Sequence, residues 1–177
     1  MSKAVFFDRD DTLIRDVPYN GDPTFVELIP GAQQLCLELA KLGYLLFIIS
    51  NQSGVGRGYI TEQQVHNVNN RVLTMIGEKV FTDVYCCFDM PDAFVADCRK
   101  PSPKMILQAS KDYNIDLSKS FLLGDKLSDV RAAKRAGCVA IYYNSRSNAG
   151  DLKLAASEAD FIINNLLDAL LLFDASN

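Results

Sequence analysis

The chain contains no apolar run approaching the roughly eighteen residues that a membrane span needs, and no basic-then-apolar leader stands ahead of Lys3. It also lacks a basic excess: 18 Lys and Arg against 22 Asp and Glu leave a net charge of −4, so no field favours nucleic acid or an anionic membrane. The compartment expected from these absences is the cytoplasm, with neither nucleic acid nor membrane as a partner. Cysteines are few and odd in number. The 5 present, Cys36, Cys86, Cys87, Cys98 and Cys138, make no disulfide framework, and reduced thiols are expected. Histidine is reduced to His66, at a polar helical position where it is no obvious metal ligand. No internal repeat is visible, and 177 residues, 49% of them apolar, suit a single domain spanning residues 1–177.

What is present alternates between strand and helix. Lys3 to Phe7 is a short apolar run flanked by charge, read as a strand covered on both faces. Pro18, Gly21 and Pro23 break the polar connection from Arg15 to Leu28. Ala32, Leu35, Leu39 and Leu42 then recur at helical spacing until Gly43 stops them. Tyr44 to Ile49 reads as a buried strand and SNQSGVGRG as a glycine-rich loop; Thr61 with Gln64 signals a capping box for a helix ending near Gly77. Phe81 to Phe88 is a third strand. Ser102 and Pro103 cap and open a helix whose apolar stripe is Met105, Ile106, Ala109 and Tyr113. Ser120 to Leu123 is a fourth strand, leading to a helix whose Ala132, Ala133 and Ala136 allow close approach to a sheet. Cys138 to Tyr143 is a fifth, and Phe161 to Ile163 and Leu166 to Phe173 close the chain as a short strand and a helix. This order predicts a three-layer α/β/α, Rossmann-like fold with a mostly parallel central sheet.

In such a sheet, ligands gather outside the carboxyl ends of the strands. The distinctive polar groups fall there: DRD, SN and GDKLSD after the first, second and fourth strands, and RK in the loop after the third. Asp8 and Asp10, separated by one residue, can turn both carboxylates to one side. Convergence with Asp125 and Asp129 would create an electrostatic load that calls for a cation, and Mg²⁺ accepts carboxylate oxygens in its octahedron. Lys100, Ser50, Asn51 and the loop amides around Gly54 can face an anion. Acids, a divalent cation, a lysine and a hydroxyl together make a phosphoryl-transfer site, with Asp8 attacking a phosphomonoester and Asp10 serving the leaving oxygen and then water. Taken singly, each feature has a plainer reading. Strand-end acids are commonly solvent-facing turn groups, Ser128 and Asp129 suit helix capping, and Arg57 suits a solvated loop.

DRDDTL, SNQSG, RKPSP and GDKLSD, in this order, resemble the four motifs of the haloacid dehalogenase-like (HAD) hydrolases. The resemblance runs from about Ala4 to Tyr143 and is to the subgroup containing D,D-heptose 1,7-bisphosphate phosphatases and histidinol-phosphatase domains. It implies Asp8 as nucleophile, Asp10 as general acid and base, and Ser50, Asn51 and Lys100 as phosphate-binding groups. Mg²⁺ would be held by Asp8, the backbone carbonyl of Asp10, and Asp125, with Asp129 in support; Thr12, by its own chemistry, suits a supporting role that organises its loop through side-chain to backbone bonds. Arg57 and Arg99 match positions that contact substrate beyond the reacting phosphate. No interval between the motifs has room for a large cap domain, so loops close the site over a small phosphorylated metabolite. The implied activity is Mg²⁺-dependent removal of the 7-phosphate from D-glycero-D-manno-heptose 1,7-bisphosphate. Histidinol phosphate is the alternative substrate, and a non-catalytic phosphate-binding protein the alternative class; two arginines suit a distal anion better than the amine of histidinol. A monomer or weak homodimer is expected.

Two departures stand out. Asp11 occupies the place where the family has glycine, which raises a backbone cost unless the local structure compensates it. The second concerns a cysteine and histidine loop that in this subgroup holds zinc. Here Cys87 and Cys98 remain, Asp89 replaces the histidine and Ala96 the third ligand. Zinc would need Cys86, Cys87, Asp89 and Cys98 together, yet adjacent strand residues point to opposite faces, which counts against it.

Overall fold

Ala4–Phe7 (β1) is buried at every position because it lies inside the sheet, parallel to Leu45–Asn51 (β2) on one side and Phe121–Gly124 (β4) on the other. Asp83–Cys87 (β3) pairs with β2, and Val139–Tyr143 (β5) and Phe161–Ile163 (β6) extend the far side. The order is β3-β2-β1-β4-β5-β6, and every pair is parallel. The computed structural model describes residues 1–91, 97–145 and 152–174.

The two-residue period of a strand divides the core. Val5 and Phe7, with Leu46, Ile48 and Leu123, face Leu35 and Leu39 of Ala32–Lys41 (α1). The same side buries Val68 and Val72 of Glu62–Ile76 (α3) and Phe173 of Leu170–Asp174 (α7). Ala4 and Phe6, with Phe47, Ile49 and Leu122, face the opposite way. There they meet Ile106 and Ala109 of Lys104–Tyr113 (α4), Ala132 and Ala133 of Leu127–Ala136 (α5), and Ala155 of Leu152–Glu158 (α6). Ala132 and Ala133 are fully buried, so their lack of bulk is what lets α5 lie close to the strands. Tyr142 and Tyr143 separate to the two cores, as alternation requires. The result is the expected three-layer α/β/α arrangement.

Several local expectations hold in detail and others shift. Thr61 and Gln64 form the reciprocal capping box of α3, and Gly77 closes it. α4 begins at Lys104 with Pro103 as its cap residue; the Ser102 hydroxyl, one residue earlier, accepts from Lys104 N at 3.4 Å and donates to Asp97 O at 2.8 Å. The glycine-rich loop holds one short helical turn, Ser53–Gly56 (α2). The final helix is divided into a 3-10 turn, Leu166–Ala169, and α7. α6 has no counterpart in the sequence reading, because its short run lacks a long apolar repeat. Among the described residues, no helix is long and apolar enough to cross a membrane.

The chain adds β2 and β3 on one side of β1, then returns to place β4 on the other. That reversal leaves a crevice at the carboxyl ends of β1 and β4, the place where open parallel sheets hold ligands. Asp8 follows β1 and Asp125 follows β4.

Candidate active site

Asp8, Asp125 and Asp129 converge in the crevice between β1 and β4, each offering an oxygen within 4.8 Å of the others. All three are buried. Asp8 is delivered by the end of β1, where its amide donates to Leu123 O at 3.0 Å and so continues the β1–β4 ladder by one residue. Asp125 is delivered by Gly124, where a Cβ would meet the Asp129 Cβ and Cγ at 2.5 Å, so any larger residue there would displace the Asp129 side chain. Thr12 donates its hydroxyl to Asp125 Oδ1 at 3.3 Å, a side-chain contact rather than the side-chain to backbone bond expected of it.

Lys100 enters this acid group from the loop after β3. Its Nζ lies 2.7 Å from Asp8 Oδ1, 2.6 Å from Asp129 Oδ1 and 2.8 Å from Ile49 O. Burial disfavours its charge, but Asp129 and Asp8 outweigh that and hold the ammonium above its ordinary pKa. Burial likewise opposes charge on Asp8, and Lys100 and Lys126 bring its carboxyl below the usual range. Asp125 is different. Burial first, then the neighbouring charges of Asp8 and Asp129, push it up to about 8, with Lys126 offsetting only part. A carboxylate kept ionised here needs more positive charge than Lys100 and Lys126 supply. Oxygen donors, burial and an uncompensated negative charge fit a hard divalent cation such as Mg²⁺, held by Asp8 and Asp125 with Asp129 beside them.

The Asp10 carboxylate stands apart from that cluster, held by donors that the sequence reading did not single out. Arg9 grips it through Nε at 3.1 Å and Nη2 at 3.0 Å, and Gln52 Nε2 donates to Oδ2 at 2.7 Å. Gln52 also donates to Ser50 Oγ at 2.8 Å, linking the predicted hydroxyl to the predicted acid. Arg9 is almost wholly buried, and its Nη1 donates to Asn69 Oδ1 at 2.8 Å from the middle of α3. Arg9 and Gln52 lie inside motifs already marked as functional. Asn69 carried a subtler signal, a polar residue within the buried stripe Val65, Val68, Val72 and Ile76. Asn51 turns out to shape Lys100: its side chain accepts from Lys100 N at 3.0 Å and donates to Lys100 O at 3.2 Å.

Two cavities meet at Asp10. One of about 180 Å³ is lined by Asp8, Asp10, Asn51, Lys100, Lys126 and Asp129, with Arg99 and Ser128 at its side. The other, about 290 Å³, shares Asp10, Asn51 and Lys126 and extends past Gln52 to Tyr19. Arg99 has its Nη1 buried with no hydrogen-bond partner among the described residues. Burial and the nearby Arg57 charge both lower its pKa. Arg57 itself is exposed.

The two departures resolve locally. Asp11 adopts φ +59°, the left-handed region, and its Oδ1 accepts from Asp16 N at 3.1 Å, a compensating bond that glycine could not make. Cys87, Asp89 and Cys98 do come together, but Cys87 and Cys98 are joined as a disulfide. This corrects the expectation of reduced thiols at those positions, and it occupies both sulfurs that zinc would require as thiolates. Asp89 Oδ2 instead accepts from the amides of Asp97 at 2.8 Å and Cys98 at 3.1 Å. Cys86 faces away and accepts from Asn69 Nδ2 at 3.4 Å; Cys36 and Cys138 are free and buried. Ala96 lies outside the described residues.

A HAD-hydrolase-like family model matches residues 97–169. The chain is 36% identical over 174 residues to a D-glycero-beta-D-manno-heptose-1,7-bisphosphate 7-phosphatase of Haemophilus ducreyi, covering 94% of this chain and 95% of the relative. A D-glycero-alpha-D-manno-heptose-1,7-bisphosphate 7-phosphatase of Photorhabdus laumondii is 37% identical over 143 residues, covering 76% and 78% of the two chains. Among solved structures, the D,D-heptose 1,7-bisphosphate phosphatase of B. bronchiseptica, complexed with magnesium and phosphate, superposes with a TM-score of 0.84 at 24% identity. It covers 97% of this chain and 99% of that one, a likeness of fold.

Proposed function

The chain belongs to the HAD-like hydrolase superfamily, and from that premise we propose that it removes the 7-phosphate of D-glycero-D-manno-heptose 1,7-bisphosphate. At the coarser level it is a phosphatase of small phosphorylated metabolites. The observation that carries the finer reading is the arginine pair. Arg99 keeps a buried Nη1 with no hydrogen-bond partner among the described residues, beside the phosphate cavity, and Arg57 repels it with only Asp89 offsetting part, so a second anion would relieve both. A bisphosphate brings that anion, whereas histidinol phosphate would bring an amine.

Asp8 would attack phosphorus, forming the P–O bond to its carboxylate as the bond to the sugar oxygen breaks. Lys100, 2.7 Å from Asp8, would neutralise the transferring oxygens. Asp10, held between the two cavities by Arg9 and Gln52, would give its proton to the leaving alkoxide. It would then take one from the water that cleaves the aspartyl-phosphate, restoring Asp8 and releasing inorganic phosphate. Asp8, the Asp10 carbonyl and Asp125 would hold Mg²⁺, which when bound offsets the negative charge of the acids and the phosphoryl group.

The deciding experiment measures kcat/KM with Mg²⁺ for both anomers of the heptose bisphosphate, histidinol phosphate and common sugar monophosphates, locating the released phosphate by phosphorus NMR. The reading expects the bisphosphate to lead and Arg99→Ala to remove that lead. Equal turnover of monophosphates and bisphosphate would refute it.

A further inference from the structure

A group that protonates a leaving oxygen must face both the phosphoryl group and the leaving group. Asp10 does so by lining both cavities, the smaller with Asp8 and Lys100 and the larger with Tyr19. The leaving group's carbon skeleton therefore belongs in the larger cavity of about 290 Å³.

One stretch of that cavity's lining is Val17, Pro18, Tyr19 and Asn20, and Tyr19 is the one aromatic side chain that lines it among the described residues. Tyr19 sits at φ +52°, a backbone region disfavoured for any residue with a Cβ, and the residue is 47% exposed. The apolar core does not explain such a placement. The ring instead lies on Gly54, where an added Cβ would come within 2.8 Å of Tyr19 Cδ1. Tyr59 meets Tyr19 edge to face, with centroids 4.8 Å apart and planes at 74°. Tyr59 is tied to the same glycine, its amide donating to Gly54 O at 2.9 Å. The Tyr19 ring and the Tyr59 backbone thus both meet α2, which follows directly from Ser50, Asn51 and Gln52 at the end of β2.

We propose that Tyr19, braced by Tyr59, is a specificity-determining residue whose ring packs against the carbon skeleton of the leaving group and selects a cyclic polyol phosphate over a short acyclic one. The proposal rests on the phosphatase reading. A tyrosine face suits the C–H face of a pyranose, while its hydroxyl, Asp16 and Asn20 offer hydrogen-bonding groups to the ring hydroxyls. A three-carbon phosphate would fill the phosphate cavity without reaching the wall.

The test compares kcat/KM of the whole chain on heptose 1,7-bisphosphate and glucose 6-phosphate with that on glycerol 3-phosphate. The variants are Tyr19→Ala, Tyr19→Phe and Tyr59→Ala. Tyr19→Ala is expected to lose about tenfold or more on the cyclic substrates, chiefly through KM, and less than about twofold on glycerol 3-phosphate. Tyr19→Phe keeps most of the selectivity, and Tyr59→Ala loses part of it. Equal losses on cyclic and acyclic substrates, or no loss on either, overturn the proposal. Should Tyr19→Ala fail to fold, an unchanged selectivity ratio in Tyr59→Ala overturns it as well. A wild type that turns over glycerol 3-phosphate but neither cyclic substrate sinks the wall and spares the phosphatase. Release of phosphate from none of the three sinks both.

Discussion

Asp129 Oδ1 lies 2.6 Å from Lys100 Nζ, and both side chains are almost wholly buried. The other oxygen, Oδ2, accepts the Lys126 amide at 3.0 Å. One carboxylate thus closes the first turn of α5 and fixes the cation that faces the phosphate cavity, so capping and support are a single job here.

Asp129→Asn keeps an acceptor for the Lys126 amide and removes one of the two ionic partners of Lys100, leaving Asp8. Its kcat/KM with Mg²⁺ is expected to fall about 10- to 100-fold, the range for groups that orient a metal site from outside. Thermal unfolding should show only a modest loss for Asn and a larger one for Ala, which also forfeits the cap. Wild-type kinetics in a folded Asp129→Asn would show that Asp8 and Ile49 O place Lys100 without it, and would leave Asp129 a helix cap alone.

Asn69 reaches Asp10 through Arg9. Asn69→Ala would leave Arg9 Nη1 buried without its acceptor at 2.8 Å, a stability loss of about 1–3 kcal/mol. Because Arg9 forks onto Asp10, kcat should drop with KM little changed, and a shifted pH profile of kcat should accompany it. Chemical denaturation and pH-rate curves on one preparation test both halves. A stability loss with an unaltered profile would leave Asn69 a merely structural residue.

The layered architecture was legible because β1, β2 and β4 are short apolar runs and their polar ends are unmistakable. Asp8, Lys100, Asp125 and Asp129 come together as their places at strand ends implied. Contacts between side chains were not legible in the same way. Nothing local to Asn51 says that its amide would clamp the Lys100 backbone, since the two are 49 residues apart in sequence. Nor does the spacing of Cys87 and Cys98 by itself reveal a bond between residues 11 apart in sequence. Tyr19 was hidden for a related reason, lying in a connection whose prolines and glycine signalled only irregular chain.

Asp11 carries a left-handed backbone and its own remedy, the bond to Asp16 N. Asp11→Gly removes both the strain and the bond, so stability should change by less than about 1 kcal/mol. Asp11→Ala keeps the strain and loses the bond, at a cost of about 1–2 kcal/mol. Turnover should be nearly unchanged in Asp11→Gly, since neither cavity is lined by Asp11. Urea midpoints and kcat are the measurements; a severe activity loss in Asp11→Gly would give this acid a role that the geometry does not.

Thiol titration of the unfolded protein, prepared without reductant, should find Cys36, Cys86 and Cys138 reactive and Cys87 and Cys98 silent until a dithiol is added. Zinc should be absent at stoichiometric levels from the same sample. Closing a loop between cysteines 11 residues apart confers about 2–3 kcal/mol, so reduction should lower the unfolding midpoint. Five reactive thiols without reductant, accompanied by one bound zinc, would reverse this account of the loop.

Asp160 links three elements at the sheet's far side: Oδ2 accepts from Ala140 N of β5 at 2.8 Å, Oδ1 pairs with Lys134 of α5 at 2.6 Å, and Phe161 begins β6. Burial opposes its charge, yet the Ala140 amide and Lys134 hold the carboxyl below its ordinary 3.8. A depressed folded value means the stabilisation is complete above pH 3.8 and is lost as pH falls through that lower value, where folded and unfolded chains carry the proton alike. Asp160→Ala should therefore cost about 1 kcal/mol at neutral pH, allowing for the screening of a partly exposed group. That difference from wild type should hold steady down to about pH 5 and narrow below about pH 4. Denaturant titrations across this range give it directly. A gap that widens on acidification would mean that Asp160 is held in its neutral form, and that the Lys134 contact does not stabilise the fold.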